Sequence, residues 1–186
     1  MERVSVNLVD LDRRHPGLTP SVAEAHAEAA RVCLDRHHVP PVAIHVSADA
    51  DPSEYRLDWE PADDQARATH ANELDATRDG AYAVTFACME HSMGLVVVGR
   101  AEHGSGADWY VAPRGLGFDE FGLPNYDDHV VMALEVSGVD TGPTGGRMRE
   151  KREQLLRGAA TERGVAAVVR FSRPTVELET VTVGAT

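Results

Sequence analysis

The sequence predicts an α/β protein in which helices flank a central mixed β-sheet. Alternating apolar and polar residues, as at 4–8 and 42–46, are typical of half-buried strands. Two continuous apolar runs, at 95–101 and 165–171, are typical of strands that are covered on both faces. The stretch 147–157 instead carries apolar residues at helical spacing. Strands and helices therefore follow one another along one chain, as in a layered α/β domain.

The first 62 residues predict a β-α-β-β unit. After an opening strand comes a helix whose start is marked by a capping box, with Ser21 at the cap and Glu24 three residues later. The dipeptide Pro40-Pro41 ends this helix, because proline lacks the backbone N–H that a helix interior needs. Alternating residues then predict two further strands, at 42–46 and 55–59.

The rest of the chain predicts the order α-β-β-β-α-β. The residues Pro61-Ala62-Asp63-Asp64 open a long helix with acidic residues in its first turn, which meets a break or kink at Gly80 and stops at Gly94. The elements that follow are strands at 95–101, 109–112 and 129–136, a helix at 147–157, a strand at 165–171 and a last strand at 176–183. We expect the first of these strands to be central in the sheet and the last to lie at its edge.

Composition and charge narrow the class of protein. A chain of 186 residues with 42% hydrophobic residues suits one domain, with 1–62 as an N-terminal extension of a core at 63–186. The formal net charge of −12 argues against a generally basic nucleic-acid-binding surface. The segment from Arg147 to Arg173, however, contains eight basic residues and only three acidic ones. This local excess suits contact with a phosphate backbone, or equally a solvated helix face.

The expected cellular compartment depends on whether the sequence contains a signal peptide or a membrane-spanning segment. The N-terminus has no apolar signal core, and no apolar run approaches the roughly 20 residues of a membrane span. Cys33 and Cys88 stand alone in helical stretches and are predicted to be buried thiols. We therefore expect a cytoplasmic protein without a membrane partner. The glycine-rich loop at 138–146 lacks the lysine of a P-loop, and no histidine spacing predicts a zinc site.

Two acidic residues stand where predicted strands can carry chemistry. Asp108 follows a glycine turn and opens the strand at 109–112. Glu135 interrupts an apolar strand, and a buried carboxylate is costly unless it is paired or bound to a metal. Mg²⁺ and Mn²⁺ prefer carboxylate oxygens and can lower the pKa of an attacking water. The alternative for Asp108 is a purely structural turn beside Gly106.

Residues 63–171, with both acids in place, resemble the PD-(D/E)XK nuclease superfamily, which has the restriction-endonuclease-like fold. In that family an aspartate opens the second strand of a hairpin, and an acid-x-Lys motif lies on the third strand. The resemblance therefore assigns the first position to Asp108 and the second to Glu135. The chain departs from the pattern at Ser137, where the family has lysine, and at Ala107, where it has proline.

The resemblance implies further site residues on the helices. Some members carry the working lysine on the helix after the third strand, where Lys151 stands here, and Gln154 resembles a glutamine found in resolvase-like members. Members also often carry a glutamate on the preceding helix, for which Glu90 and Glu73 both qualify. The implied catalytic residues are Asp108, Glu135, Lys151, Ser137, Gln154 and Glu90, with Asp108 and Glu135 as metal ligands.

We therefore expect a metal-dependent DNA endonuclease that uses Mg²⁺ or Mn²⁺ in host defence or DNA processing. The alternative is a catalytically inactive nuclease-fold protein that serves as an interaction subunit of a larger complex. The missing strand lysine and the acidic net charge favour this alternative. A small enzyme of this kind often reaches both DNA strands as a dimer, so we also expect a homodimer or a partner protein.

Overall fold

The structure, a computed structural model, describes residues 4–116, 130–158 and 161–183. It confirms the predicted α/β architecture, in which helices pack on a mixed β-sheet. The elements in chain order are β1 (Ser5–Asn7), α1 (Leu11–Arg14), α2 (Pro20–Asp35), β2 (Val42–Ala48), β3 (Asp51–Asp58), α3 (Asp64–Thr69), α4 (Glu73–Ser92), β4 (Leu95–Arg100), β5 (Trp109–Pro113), β6 (Met132–Val139), α5 (Gly145–Gly158), β7 (Arg163–Arg170) and β8 (Thr175–Thr182). The predicted strand at 129–136 begins at residue 129, which lies outside the described residues.

The eight strands of the described residues form one sheet in the order β1-β3-β2-β8-β7-β6-β5-β4. Strands β4, β5 and β6 pair antiparallel, and α5 then carries the chain back so that β7 pairs parallel with β6. The predicted order α-β-β-β-α-β is therefore the order observed from α4 to β7. Strand β8 pairs with both β7 and β2, which joins the N-terminal strands to the same sheet.

Two predicted positions within the sheet are wrong. Strand β4 lies at the sheet edge and β8 lies inside, the reverse of the expectation. The apolar run of β4 is explained by covered faces and by a covered edge. At that edge the Val97 N–H donates to His15 Nδ1 (3.1 Å), and the Val97 carbonyl accepts from the Gly17 N–H (2.9 Å). Local hydrophobicity reports burial, and burial arises here without a second neighbouring strand.

The predicted cap of α2 is also wrong. The cap is Thr19, whose Oγ1 accepts from the Val22 N–H, and Pro20 occupies the first helical turn. Proline suits this position because its fixed φ matches the helix and its missing N–H would have no intrahelical partner there. Ser21 therefore lies inside the helix, and α2 ends at Asp35, before the proline pair.

The long helix predicted to open at residues 61–64 is two helices, α3 and α4, each with its own side-chain cap, from Asp63 and Asn72. Gly80 does not break α4. A Cβ at this position would lie 2.9 Å from the backbone of Ala30, so the glycine allows α2 to pack closely against α4. Gly94 follows α4 with a φ of 67°, as expected of a helix stop.

The helices divide between the two faces of the sheet. Helices α2 and α4 cover the main core, which includes Leu134 and Val136 of β6, whereas α5 packs on the opposite face against Ala133. Because side chains alternate along a strand, Glu135 points to the α5 face. Cys33 and Cys88 are buried free thiols, as predicted. Among the described helices, none is both long and apolar enough to cross a membrane.

Candidate functional site

Glu135 and Lys151 form a short ion pair between β6 and α5. Lys151 Nζ donates to Glu135 Oε2 at 2.6 Å, although the residues are 16 positions apart in sequence. Glu135 is 6% exposed, and the Lys151 side chain is 15% exposed. Lys151 is also the only lysine of the chain, since all the others among its 18 lysine and arginine residues are arginine. The structure thus places this single ammonium group directly on the buried acid.

Asp108 lies immediately before β5, on the strand next to Glu135. Its Oδ2 accepts from the Val136 N–H at 2.9 Å, and its Oδ1 accepts from the Tyr82 hydroxyl of α4 at 3.1 Å. The Asp108 N–H also donates to the Leu134 carbonyl at 2.9 Å, so Asp108 bonds to the backbone of the residues on both sides of Glu135. The two predicted metal ligands are therefore neighbours across adjacent strands.

The electrostatics of this pair leave a negative charge incompletely compensated. The pKa of Glu135 is raised above its ordinary value of 4.5, mainly because burial disfavours the carboxylate. The hydrogen bond from Lys151 lowers this pKa, whereas the charges of Asp108 and Glu150 raise it further. The net direction is upward, so one ammonium group does not fully offset the burial and the neighbouring acids. An additional cation beside Glu135 would favour its ionised form.

Tyr82 supports Asp108 from the main core. Burial, followed by the negative charge of Asp108, raises the pKa of Tyr82 to about 12. The phenol therefore stays protonated at neutral pH and donates its hydrogen to the aspartate. With the Val136 N–H on the other oxygen, both carboxylate oxygens are oriented before any ligand binds.

Two glycines bring the turn before Asp108 against the end of α5. Gly106 has a φ of 74°, and a Cβ there would lie 2.5 Å from Gly158 Cα. A Cβ on Gly158 would in turn lie 2.5 Å from the Ser105 carbonyl oxygen. Only residues without side chains permit this contact. It fixes the turn that carries Asp108 relative to the helix that carries Lys151.

Ser137 and Gln154 lie on the same side as the ion pair. Ser137 is two residues beyond Glu135 on β6, so strand alternation places it on the α5 face, where it is half-buried. Gln154 follows Lys151 by three residues on α5, which is slightly less than one helical turn. Its Oε1 atom is buried and has no hydrogen-bond partner within the described part of the chain. The structure therefore leaves a free acceptor on this helix face.

Glu90, which the resemblance also implies for the site, takes part in a separate set of contacts. Glu90 Oε2 accepts from Arg14 Nη1 at 2.6 Å, and its Oε1 accepts from Arg114 Nη2 at 2.8 Å. It lies eight residues beyond Tyr82 on α4, or about 12 Å along the axis at 1.5 Å per residue. Glu73 is exposed in the first turn of α4 and has no contact with the pair either. The structure brings neither glutamate to Glu135.

Sequence reasoning did not single out Tyr82 or Arg100. The Arg100 guanidinium carbon lies 4.5 Å from the centroid of the Trp109 ring and 5.3 Å from that of Tyr82. No motif marks the tyrosine, which stands in a run of buried helical residues. Simple alternation along β4 would also have put Arg100 on the opposite face of the sheet. The contacts of both residues depend on tertiary packing that the sequence pattern does not display.

The predicted basic surface is weaker than the count of charges suggests. Three arginines of α5 form ion pairs with glutamates: Arg147 with Glu150 (3.1 Å), Arg152 with Glu179 (3.3 Å) and Arg157 with Glu153 (3.9 Å). Exposed pairs of this kind typically contribute only about 0–1 kcal/mol, so their side chains remain free to rearrange. The solvated-face interpretation therefore accounts for much of the local positive excess.

The donor set fits one partly hydrated, hard divalent cation. Mg²⁺ is commonly held by one or two carboxylates, with waters and substrate phosphates completing its coordination. A carboxylate offers about four acceptor sites, so the hydrogen bonds to Asp108 leave lone pairs available. In the described ranges no group of three or more His, Cys, Asp or Glu residues could hold a metal. Any ion at Asp108 and Glu135 would therefore take its remaining ligands from water or substrate.

Comparison with known proteins gives no relative to set beside this geometry: no family model, curated protein or solved structure matches the chain.

Proposed function

We propose that this protein is a metal-dependent DNA endonuclease with a restriction-endonuclease-like core formed by α4 to β7. One observation carries the proposal. Asp108 bonds to the backbone of the residues on both sides of Glu135, and the chain's only lysine donates to Glu135 at 2.6 Å. Two carboxylates can hold a Mg²⁺ or Mn²⁺ ion that activates a water, and an ammonium group can stabilise negative charge on the phosphate.

Each residue has a distinct role in this proposal. Asp108 and Glu135 hold the cation, which lowers the pKa of a bound water and neutralises charge on the phosphate. Tyr82 and the Val136 N–H orient the Asp108 carboxylate. Lys151 presents N–H donors beside Glu135, where they stabilise the negative charge that develops during hydrolysis. Gln154 offers a buried acceptor on the same helix face, and Ser137 supports the site from β6.

The incomplete compensation of Glu135 supports the cation-binding part of the proposal. Burial and neighbouring acids raise the pKa of this carboxyl despite the contact with Lys151. A cation bound at this position would relieve that cost, because it favours the ionised form. Host defence or DNA processing is the setting that the resemblance suggests, although a fold alone does not dictate a function.

Cleavage of supercoiled plasmid in Mn²⁺ tests the proposal. We expect D108N, E135Q and K151M each to reduce the nicking rate by at least about 100-fold, because each removes charge at the reacting phosphate. The matched control is E150Q, which removes a carboxylate from the helix position before Lys151 where the side chain is 48% exposed. It should keep its rate within about twofold of wild type. Equal nicking by all variants would overturn the proposal.

Metal binding gives a readout that does not depend on turnover. At a cation concentration of 100 times the dissociation constant, we expect binding to stabilise the wild type by about 2.7 kcal/mol. D108N and E135Q should lose most of this stabilisation, and E150Q should retain it. Thermal unfolding with increasing Mn²⁺ measures the effect. An identical Mn²⁺-dependent shift in D108N, E135Q and wild type would place the metal elsewhere.

A catalytically inactive nuclease-fold subunit is the second candidate, and one observation favours it. Glu135 is already ion-paired and both Asp108 oxygens already accept hydrogen bonds, so the site holds together without a cation. Wild-type protein that neither nicks plasmid nor shows a Mn²⁺-dependent shift would decide in favour of this candidate.

A further inference from the structure

A β-bulge in β4 changes the direction of its last side chain. Strand β4 pairs Val97 with Val111, but the next pairs are Gly99 with Tyr110 and Arg100 with Trp109. Val98 is therefore an extra residue that has no partner of its own in β5. An inserted residue of this kind shifts the alternation of the side chains that follow.

The bulge moves Arg100 from one face of the sheet to the other. Before it, Val97 packs in the main core under α4, whereas Val96 and Val98 pack on the opposite face. Regular alternation would put Arg100 with Val96 and Val98. Its guanidinium instead lies over the Trp109 ring, on the side of the main core.

The N-terminal segment holds this bulge in place. The Gly17 N–H donates to the Val97 carbonyl at 2.9 Å, directly before the extra residue. A Cβ on Gly17 would overlap the backbone of Val98 and Gly99, so this contact tolerates no side chain. The orientation of Arg100 is therefore built into the packing of the backbone.

Arg100 is oriented, and it has no acidic partner in the part of the chain that the structure describes. Its guanidinium is 4.5 Å from the Trp109 centroid and 5.3 Å from that of Tyr82, the phenol that donates to Asp108. None of the ion pairs formed among residues 4–116, 130–158 and 161–183 includes it, and the residue is exposed. A stacked guanidinium keeps its outward N–H donors available for a planar or tetrahedral anion.

We propose that Arg100 binds a phosphate of the DNA backbone beside Asp108, on the main-core side of the sheet and therefore on the face opposite Glu135 and Lys151. This inference rests on the proposed function and adds a substrate-binding residue to the same site. The guanidinium can bind a phosphate through two parallel hydrogen bonds, which fixes orientation as well as charge. The rings of Trp109 and Tyr82, which meet edge to face, hold that donor in place before the substrate arrives, so less conformational entropy is lost on binding.

Equilibrium binding of a labelled DNA duplex of about 20 base pairs tests this inference, with Ca²⁺ in place of Mn²⁺. Fluorescence anisotropy across a series of KCl concentrations gives the affinity and its salt dependence. We expect R100A to weaken binding about tenfold and to reduce the slope of log K against log salt by about one, as loss of one phosphate contact predicts. R100K keeps the charge but loses the planar stack, so its affinity should lie between the two.

The matched control is R56A, which removes an arginine that is 51% exposed on β3, near the opposite end of the sheet. It should leave affinity and salt slope unchanged, because its distance from the site prevents a shared phosphate contact. Thermal unfolding shows whether each variant is folded. If R100A is less stable, the affinity of R100K is compared with those of wild type and R56A instead.

The outcomes separate the two proposals. Wild type that nicks plasmid while R100A and R56A bind DNA equally well overturns the role of Arg100 and leaves the endonuclease standing. Wild type that neither nicks plasmid nor binds the duplex overturns both. A weaker, less salt-dependent complex with R100A alone supports the phosphate contact.

Discussion

Glu90 and Glu135 are two equally buried glutamates with different surroundings. Each is 6% exposed. Glu90 receives two guanidinium groups, from Arg14 and Arg114. Glu135 receives one ammonium group, from Lys151, and also lies within the field of the Asp108 carboxylate.

The difference shows how charge balance separates a glutamate that joins elements of the fold from one at the proposed cation site. The positive charge around Glu90 exceeds its own charge, so this glutamate joins α1, α4 and the end of β5 without needing a ligand. Around Glu135 the negative charge exceeds the positive, and its pKa is raised as a result of burial and nearby acids. A buried acid alone was therefore an insufficient criterion for the site, and the number of its cationic partners is the more informative property.

Removal of the ammonium group should have the largest effect on stability. K151M leaves Glu135 buried without a cation, and we expect a loss of about 3 kcal/mol in the free energy of unfolding at pH 8. The double variant K151M/E135Q should recover most of this loss, because it removes the uncompensated charge. Urea denaturation of wild type, both single variants and the double variant completes the cycle. No recovery in the double variant would show that the cost does not come from Glu135.

Substitution of Glu90 should lower stability somewhat less than K151M does and should leave the rate of plasmid nicking nearly unchanged. E90Q weakens charge-assisted hydrogen bonds to two arginines, so we expect a loss of about 2 kcal/mol in the free energy of unfolding. The rate of plasmid nicking at a temperature where the variant is folded should stay within about twofold of wild type. If E90Q were stable but inactive in the nicking assay, Glu90 would belong to the site after all.

The smallest effect concerns pH. Because the pKa of Glu135 is raised in the folded protein, its contribution to stability is present below the ordinary pKa of 4.5 and is lost as pH rises through the raised value. E135Q has no such titration. The stability of E135Q relative to wild type should therefore increase with pH across this window, while Asp108, Glu150 and Lys151 remain in place. Parallel curves in urea denaturation from pH 4 to 8 would contradict the raised pKa.

Local patterns predicted the elements of this fold better than their positions in the sheet. Alternation and apolar runs gave each strand, and the order from α4 to β7 follows from them. The exchange of β4 and β8 between edge and interior depends on which strands pair over long sequence distances. Both faces of β4 are covered, and Val97 forms hydrogen bonds with residues 15 and 17. The sequence of this edge strand is therefore as apolar as that of a central strand.

The residues of the site also differ in how far the sequence alone could identify them. Asp108 and Glu135 could be selected because each is an acid at a strand position, and Lys151 could be selected only through the resemblance. Its contact with Glu135 depends on how α5 packs on β6. Arg100 could not be found because a bulge reverses its direction, and an extra residue in one strand is invisible until its partner strand is known.

The presence of a single lysine has a practical consequence. Acylating reagents modify the chain at one side chain only, apart from the terminal amine. That modification would discharge the ammonium group that faces Glu135. Amine-reactive dyes, cross-linkers and sensor surfaces would therefore break the ion pair in the molecules that they modify, whereas attachment through a terminal tag would spare it.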